Sequence, residues 1–273
     1  MSYSIRGKSI LITGATSGIG LACAHSLAEA GARLLIHGRD PKKLDIARRE
    51  LSTRGAAVQG LVADLSSLEE TARLAREAAA AAGSLDVLIN NAGIGFGHDG
   101  KRRELSRDGH ELRLAVNYLA PFLLAEELLA RALPRRALIN VASAGQEALD
   151  FEDIMTERGY SGVRAYCRSK LALIMMTFDL AALHSGLSVQ SLHPGTYLDT
   201  QMVREAGITP LGPVSRGAES ITGVLDSALS GAASGGYYDQ TRPSRALPQA
   251  YDIAARRKLR ERSLALIAPF RAK

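Results

Sequence analysis

Short apolar runs alternate with longer helical patterns along the whole chain. The runs have the length of β-strands and most are rich in Val, Ile and Leu; they cover 9–13, 33–38, 57–63, 85–90, 136–143, 187–193 and 235–239. Stretches of helical length separate them, at 18–31, 41–54, 67–82, 106–131, 163–185 and 215–229. Because parallel strands need long crossover connections, this alternation predicts a parallel sheet with helices on both faces.

The apolar runs show little alternation of apolar and polar positions, which is typical of strands buried on both faces. No linker and no shift in composition divides the 273 residues. We therefore predict one α/β domain over 1–273, a Rossmann-like fold with a doubly wound parallel sheet of about seven strands. Ligands bind such sheets at the carboxyl ends of the strands, so segments after the later strands are expected to contact substrate.

Composition is ordinary for a globular protein, with 46% hydrophobic and 23% charged residues. The net charge of +6 is spread among acids, so no nucleic-acid partner is predicted, and the basic run at 256–262 is expected to be the solvated side of a C-terminal helix. The chain has no membrane-length apolar run and no secretory pattern at its N-terminus, so we expect a cytoplasmic protein. Cys23 and Cys167 lack metal-ligand spacing and are expected to be reduced; no metal site is predicted.

A glycine-rich turn follows the first predicted strand, in TGATSGIG at 13–20. Its glycines, Gly14, Gly18 and Gly20, allow a tight turn and close approach of backbone N–H groups to a pyrophosphate, beside Ser17 and Ile19 at the helix start. The spacing is GxxxGxG and departs from the GxGxxG dinucleotide fingerprint. By itself the turn fits a purely structural role equally well.

The end of the second predicted strand indicates which dinucleotide would bind. An NAD site places an acid there for the ribose 2′-hydroxyl, whereas Arg39 in HGRD suits a 2′-phosphate through charge-assisted hydrogen bonds. Ser17 could add a hydroxyl to the same phosphate. Asp40 could be that acid displaced by one residue, but it precedes Pro41 at a helix start, where an N-cap role is simpler. We predict NADP(H).

Four ordered motifs make the chain resemble the short-chain dehydrogenase/reductase family. They are the cofactor turn at 13–20, NNAG at 90–93, YCRSK at 166–170 and HPG at 193–195. The segment before the tyrosine and the tail from 234 to 252 resemble the retinol-dehydrogenase-like branch. The resemblance covers nearly the whole length and implies a Rossmann-like oxidoreductase.

The resemblance assigns the catalytic roles. Tyr166 would be the acid or base, Ser143 would position the carbonyl or hydroxyl, Lys170 would bind the nicotinamide ribose and lower the tyrosine pKa, and Asn117 would hold a water. On residue spacing alone, Tyr166 and Lys170 are more simply interpreted as an ordinary pair one helical turn apart, a packed tyrosine with a snorkelling lysine. The residues between them, 167–169, are expected to point elsewhere.

The same resemblance implies further cofactor contacts. Asp64 would bond the adenine, and the residues that complete the set are Leu65, Asn91, Ala92, Gly93, Pro194, Gly195 and Thr196. In relatives a threonine follows the PG pair at shorter spacing than Thr200 has here, which leaves its phosphate role open.

Two segments would shape the substrate site. The 144–164 segment separates Ser143 from Tyr166, and 195–215 would form a lid. Both mix apolar and polar residues, so we expect a bulky, partly lipophilic carbonyl or alcohol, as for a ketoreductase. The alternatives are a non-catalytic NADP-sensing regulator and a structural partner that uses the apolar helix 166–183; we expect that helix to be the subunit interface of a homodimer or homotetramer.

Overall fold

The predicted strands assemble into one sheet, which the computed structural model describes over residues 5–53, 55–97 and 99–271. The strands are β1 (Ser9–Ile12), β2 (Arg33–Gly38), β3 (Val58–Val62), β4 (Val87–Asn90), β5 (Ala137–Val141), β6 (Ser188–His193), β7 (Gly236–Asp239) and β8 (Arg242–Pro243). Their order is β3-β2-β1-β4-β5-β6-β7-β8, and β1 to β7 are all parallel. The order reverses between β1 and β4, which is where a doubly wound sheet opens a ligand crevice.

The sheet has eight strands where the apolar pattern predicts about seven. The added strand, β8, is two exposed residues that pair antiparallel with the end of β7. It is too short and too polar to produce a hydrophobic pattern, so its pairing is decided by the turn after Asp239.

Helices cover both faces of the sheet. They are α1 (Gly18–Glu29), α2 (Pro41–Ser52), α3 (Leu68–Ala82), α4 (Leu112–Leu114), α5 (Ala120–Leu129), α6 (Gly162–Leu183), α7 (Gln201–Glu205), α8 (Val214–Leu229) and α9 (Ile253–Ile267), with a π-helical turn at Ala115–Leu119 joining α4 to α5. The helix predicted at 106–131 thus begins only at Leu112, because Ser106 accepts and donates bonds in a turn with His110 and Leu105 bridges to Glu111.

Alternate residues of each central strand enter two separate apolar cores. Ile10 and Ile12 of β1 pack with α1, α2 and α8, whereas Leu11 packs with α3, α5, α6 and α9 on the other face. Both sets are apolar because both faces are covered, which is why the strands show no alternation in the sequence.

The C-terminal helix α9 lies across α5 and α6 and corrects two expectations. Arg260 of the basic run pairs with Glu126 (3.0 Å) and Asp179 (3.3 Å), so this run is not simply solvated. The α6 side chains from Leu171 to Met176 are buried within one chain. They therefore do not form an apolar face that a second copy would cover.

Candidate active site

The carboxyl ends of the central strands surround one elongated cavity of about 930 Å³. The glycine turn after β1 and Arg39 after β2 line it, as do Gly93 after β4, Ser143 after β5 and Pro194 after β6. Every predicted site residue except Asn117 lines this cavity; Asn117 is fully buried behind its wall. The topology thus brings together predicted site residues that lie up to 182 positions apart.

The glycine turn has the backbone geometry that its sequence predicts. Gly14 and Gly18 have φ of 67° and 56°, which favours glycine, and a Cβ on Gly20 would collide with the carbonyl of Gly14 and the amide of Asn91. Asn91 Nδ2 donates to the carbonyl oxygens of Thr13 (2.9 Å) and Gly14 (3.1 Å). Ser17 is the N-cap residue of α1, and its side chain makes no capping hydrogen bond there.

His37 anchors this turn, a role that the sequence pattern does not reveal. Its Nδ1 accepts from the backbone N–H of Gly14 (3.2 Å), and its Nε2 lies 3.0 Å from the carbonyl oxygen of Ala63. Burial lowers the pKa of His37 to about 4, so the ring is neutral near pH 7 and donates through Nε2. A polar residue inside an apolar strand was the only available signal.

Arg39 and Asp40 differ in their surroundings where β2 leads into α2. Arg39 is exposed at the end of the cavity. Asp40 is the N-cap of α2 and accepts from the backbone N–H groups of Lys42 (2.9 Å) and Lys43 (3.2 Å). These backbone bonds hold the pKa of Asp40 below its ordinary value. The N-cap interpretation of Asp40 is confirmed.

At the same end of the cavity, Asp64 already has partners within the chain. One carboxylate oxygen accepts from the backbone N–H of Ser66 (3.0 Å), and the other lies 3.3 Å from Arg107 Nη2. Leu65 is buried beside it. Any bond from Asp64 to an adenine would have to use the remaining lone pairs of these two oxygens.

Tyr166, Ser143 and Lys170 converge at the opposite end. The Tyr166 hydroxyl faces the side chain of Ser143, which opposes the rise in the tyrosine pKa, and Ser143 Oγ accepts from the backbone N–H of Gly145 (3.0 Å). Lys170 Nζ donates to the carbonyl oxygen of Val141 (2.9 Å) and lies 5.8 Å from the centre of the tyrosine ring. The helical spacing of Tyr166 and Lys170 therefore does bring both side chains to one place.

Asn117 is held in the π-helical turn by the loop after β4. Its Oδ1 accepts from Ile94 N (2.8 Å), and its Nδ2 donates to Ile94 O (3.1 Å) and Ser169 Oγ (3.0 Å). A Cβ added to Gly93 would lie 3.2 Å from Asn117 Oδ1 and 3.3 Å from Lys170 Nζ, so the three residues meet. Both amide hydrogens are used, which leaves the Asn117 side chain no donor for a water.

Burial is the largest influence on the pKa values of Tyr166 and Lys170. Burial raises the pKa of Tyr166, an effect that the neighbouring Ser143 side chain opposes, and it lowers the pKa of Lys170 to about 8. Lys170 is not among the groups that shift the Tyr166 pKa in the protein alone, and its effect together with a bound oxidised nicotinamide stays a prediction. The Lys170 ammonium donates to the carbonyl oxygen of Val141 and not to the phenol.

Two residues between Tyr166 and Lys170 do contribute to the site, against expectation. Ser169 Oγ donates to the carbonyl oxygen of Tyr166 (2.7 Å) while it accepts from Asn117, and it thereby links the two predicted residues. Cys167 lines the cavity beside Gly145 because the 144–161 segment folds back over α6. Only the tertiary path of that segment reveals this.

The 195–215 segment carries the short helix α7 and contacts the glycine turn through Thr200. Thr200 is the N-cap of α7, accepts from the backbone N–H of Val203 (3.3 Å) and faces Gly18, with its methyl 3.6 Å from where a Cβ would be. His193 Nε2 lies 3.1 Å from Thr196 Oγ1. The phenyl ring of Phe96 packs edge-on against the Tyr166 ring, with 5.1 Å between centres.

Residues 8–210 match the family model of the short chain dehydrogenases. This span contains the glycine turn, Ser143, Tyr166 and Lys170. The chain belongs to the short-chain dehydrogenase family. It is an oxidoreductase of the retinol-dehydrogenase-like branch.

Similar proteins come from animals and bacteria. This short-chain dehydrogenase is 31% identical to retinol dehydrogenase 13 of Homo sapiens over 97% of its own length and 86% of that protein. It is 32% identical, over 96% and 93%, to a Streptomyces protein provisionally named as the daunorubicin C-13 ketoreductase DnrU. The match to human retinol dehydrogenase 11 is 36% identical over 75% of this chain and 65% of that protein.

Solved structures share the fold. A protein from Mycobacterium Paratuberculosis superposes with a TM-score of 0.80 at 27% identity, over 97% of this short-chain dehydrogenase and 94% of that chain. A metagenomic short-chain oxidoreductase in complex with NADP gives 0.64 at 26% identity, over 89% and 100%. Among the described residues of the present chain, no helix has the length and apolar character to cross a membrane.

Proposed function

We propose that the chain is an NADP(H)-dependent oxidoreductase that interconverts a carbonyl and an alcohol on a bulky, partly lipophilic small molecule, with Tyr166 as the acid or base. The observation that carries this proposal is the convergence of the Tyr166 hydroxyl and the Ser143 side chain at one end of the cavity, with Lys170 Nζ 5.8 Å from the centre of the tyrosine ring. A non-catalytic NADP sensor would not need this arrangement.

The residues around the other end of the cavity fit a dinucleotide with a 2′-phosphate. The positive-φ glycines and the start of α1 provide backbone N–H groups for a pyrophosphate, and Arg39 and Ser17 provide a guanidinium and an uncommitted hydroxyl. Thr200 faces the same turn, and its hydroxyl hydrogen is free to donate because its oxygen is the N-cap acceptor. We therefore add Thr200 to the proposed phosphate contacts. The NADP-bound structural relative supports the choice of cofactor.

The chemistry of the site follows from where charge develops. Bound NADP(H) supplies or accepts the hydride. In reduction, Tyr166 gives its phenolic proton to the substrate oxygen while the Ser143 hydroxyl donates a hydrogen bond to it; in oxidation Tyr166 accepts the proton. Burial keeps the phenol protonated, so the protein alone favours the acid form. Lys170 offers N–H groups at the base of the site, and Asn117 holds the loop at Ile94 in place.

The lining of the substrate end supports a lipophilic substrate. It includes Phe96, Leu105, Leu112, Val116, Met202, Val203 and Ile208. The basic side chains on the cavity wall are Arg39, at the far end, and Lys170, which is already bonded to Val141, so the described lining offers no cation for an acidic substrate group. An uncharged carbonyl compound fits this surface best.

Cofactor choice is tested by titrating NADPH and NADH against native protein and Arg39→Gln, followed by intrinsic NAD(P)H fluorescence. We expect tighter binding of NADPH to the native chain and a loss of about ten- to a hundredfold for NADPH alone in the variant, since one charge-assisted bond is removed. Equal loss for both dinucleotides would contradict the proposed 2′-phosphate contact. Exposed Arg102→Gln is the matched control.

Turnover is tested with a panel of apolar ketones, aldehydes and alcohols and the tighter cofactor. Tyr166→Phe should retain NADPH affinity and lose at least about 99% of turnover, since the group that transfers the proton is removed. Turnover unchanged in the variant would overturn the assignment of Tyr166. Bound NADPH with no turnover of any compound by the native chain would favour the regulator.

Cytoplasmic location and a homodimeric or homotetrameric state remain part of the proposal. The apolar core of α6 is covered within one chain, so an assembly would use another surface. Light scattering of the purified chain gives the mass directly, and a single-chain mass would remove the oligomer from the proposal.

A further inference from the structure

The loop that carries Ser143 is held by a part of the chain outside the region matched by the family model. That match ends at residue 210, whereas the residues that contact the loop lie on β7 and in the segment that precedes α9, at 237–249. The C-terminal tail, outside the matched cofactor-binding part, therefore holds this loop.

Tyr237 of β7 makes the most direct of these contacts. Its hydroxyl donates to the backbone carbonyl oxygen of Ser143 (2.9 Å), and Gln146 Nε2 lies 3.3 Å from the same oxygen. Tyr237 is only 5% exposed, and burial raises the pKa of its hydroxyl to about 12, so this group remains a donor throughout the neutral range.

Three further bonds fasten the tail to the residues after Ser143. The backbone N–H of Leu247 donates to Gln146 Oε1 (2.9 Å). Gln249 bonds Leu149 twice, accepting from its N–H (2.6 Å) and donating to its carbonyl oxygen (3.0 Å). The tail therefore fixes the path of the chain immediately downstream of the serine.

Ser143 is thus held from both sides. Upstream, the backbone N–H of Ala142 donates to Leu192 O (2.8 Å), which continues the pairing of β5 with β6. Downstream, Tyr237 holds the peptide group that Ser143 shares with Ala144. Fixing this peptide sets the Ser143 backbone and with it the direction of Cβ and Oγ, which already accepts from Gly145 N.

We infer that Tyr237 is a positioning residue for Ser143, so that the C-terminal tail forms part of the catalytic frame. This inference rests on the proposed function, because it assigns Tyr237 an effect on a Ser143-dependent step. Without the donor at Tyr237, the carbonyl would be satisfied by Gln146 alone and the serine would occupy a wider range of orientations. Misplacement of a catalytic group lowers turnover much more than it lowers ground-state binding.

The test uses Tyr237→Phe in the full-length protein, with Tyr238→Phe as the matched control. Tyr238 is the next residue on β7, and none of the hydrogen bonds found among the described residues involves its hydroxyl. We expect Tyr237→Phe to lower kcat about tenfold with KM and the NADPH Kd within about twofold of native. A kcat equal to that of Tyr238→Phe would overturn the inference.

A double-mutant cycle with Ser143→Ala separates positioning from general stabilisation. If Tyr237 acts through the serine hydroxyl, Tyr237→Phe should cause no further loss of residual kcat in the Ser143→Ala background. Full additivity of the two losses would overturn the inference, as would a lower melting temperature with native kcat per folded molecule.

The outcomes are distinguishable from those that test the proposed function. If native protein turns over substrate and Tyr237→Phe does too at the native rate, the inference fails and the function stands. If native protein turns over nothing on the panel, the function fails first. Should Tyr237→Phe not fold, Tyr237→Met removes the same donor and keeps an apolar side chain at this buried position; a kcat per folded molecule equal to that of Tyr238→Phe there overturns the inference.

Discussion

At the scale of single residues, the site is governed by the burial of groups that titrate. Tyr166 and Lys170 are shifted in opposite directions by the same desolvation, which favours the neutral form of each. Sequence reasoning named both residues and the Asp40 cap because motif and helix position determine them locally. It missed His37 and Ser169, since their hydrogen bonds join residues that only the fold brings together.

Lys170 provides a prediction about stability against pH. Its folded pKa of about 8 is below the unfolded value of 10.5, so the cost of burying the charge is full below pH 8 and disappears as the pH rises toward 10.5. The difference in unfolding free energy between Lys170→Met and native protein should therefore favour the variant by about 2 kcal/mol more at pH 7 than at pH 10.

Urea unfolding of both proteins at the two pH values measures this difference. The lost bond to Val141 affects the variant at both pH values and largely cancels. Lys101→Met, at an exposed position, is the control and should show no such change with pH. A relative stability of Lys170→Met that does not vary with pH would contradict a strongly perturbed lysine.

At the scale of elements, the strands and most helices follow from apolar periodicity, but the substrate-side segments do not. The 106–111 turn and the π-helical turn depend on side-chain bonds to distant segments, Asp108 to Leu68 N and Asn117 to Ile94, whereas α7 begins at the local Thr200 cap. The clearest case is Arg113 of α4, which is 1% exposed. It donates to Gly95 O (3.1 Å), Tyr160 OH (3.1 Å) and Glu104 Oε2 (2.6 Å), and so joins α4 to the loop after β4 and to the segment before α6.

Replacing Arg113 should be costly because Glu111, also 1% exposed, lies 3.7 Å from its guanidinium. Arg113→Met would leave this carboxylate buried without a cation, and we expect a loss of about 3 kcal/mol in the free energy of unfolding. Adding Glu111→Gln, which keeps an acceptor for Leu114 N, should recover part of the loss. Chemical denaturation checks both, with exposed Arg102→Met as the control; no recovery in the double variant would argue against a charge effect.

At the scale of the whole molecule, the cavity joins the ends of strands that belong to one continuous sheet. A ligand that contacts the glycine turn, Arg39 and the lid together binds only the folded state and should stabilise the entire domain. At a hundredfold excess over its Kd, NADPH should add about 2.7 kcal/mol, which corresponds to roughly 5–10 °C in melting temperature for a chain of this size.

Differential scanning fluorimetry with equal concentrations of NADPH and NADH measures this stabilisation. The shift with NADPH should be the larger, and Arg39→Gln should reduce it toward the NADH value. A larger shift with NADH would contradict the proposed cofactor preference at the level of the intact protein.

The sequence by itself determined the α/β class, the order of the main strands and helices, the glycine turn and the positions of Ser143, Tyr166 and Lys170. These are local properties, because periodicity, caps and short motifs depend on residues within a few turns of one another. Only the tertiary structure decided that α9 covers α6, that Asn117 is anchored by Ile94 and Ser169, and that Tyr237 holds the serine loop. Such contacts join residues that are up to 94 positions apart, and no local pattern specifies which distant donor meets which acceptor.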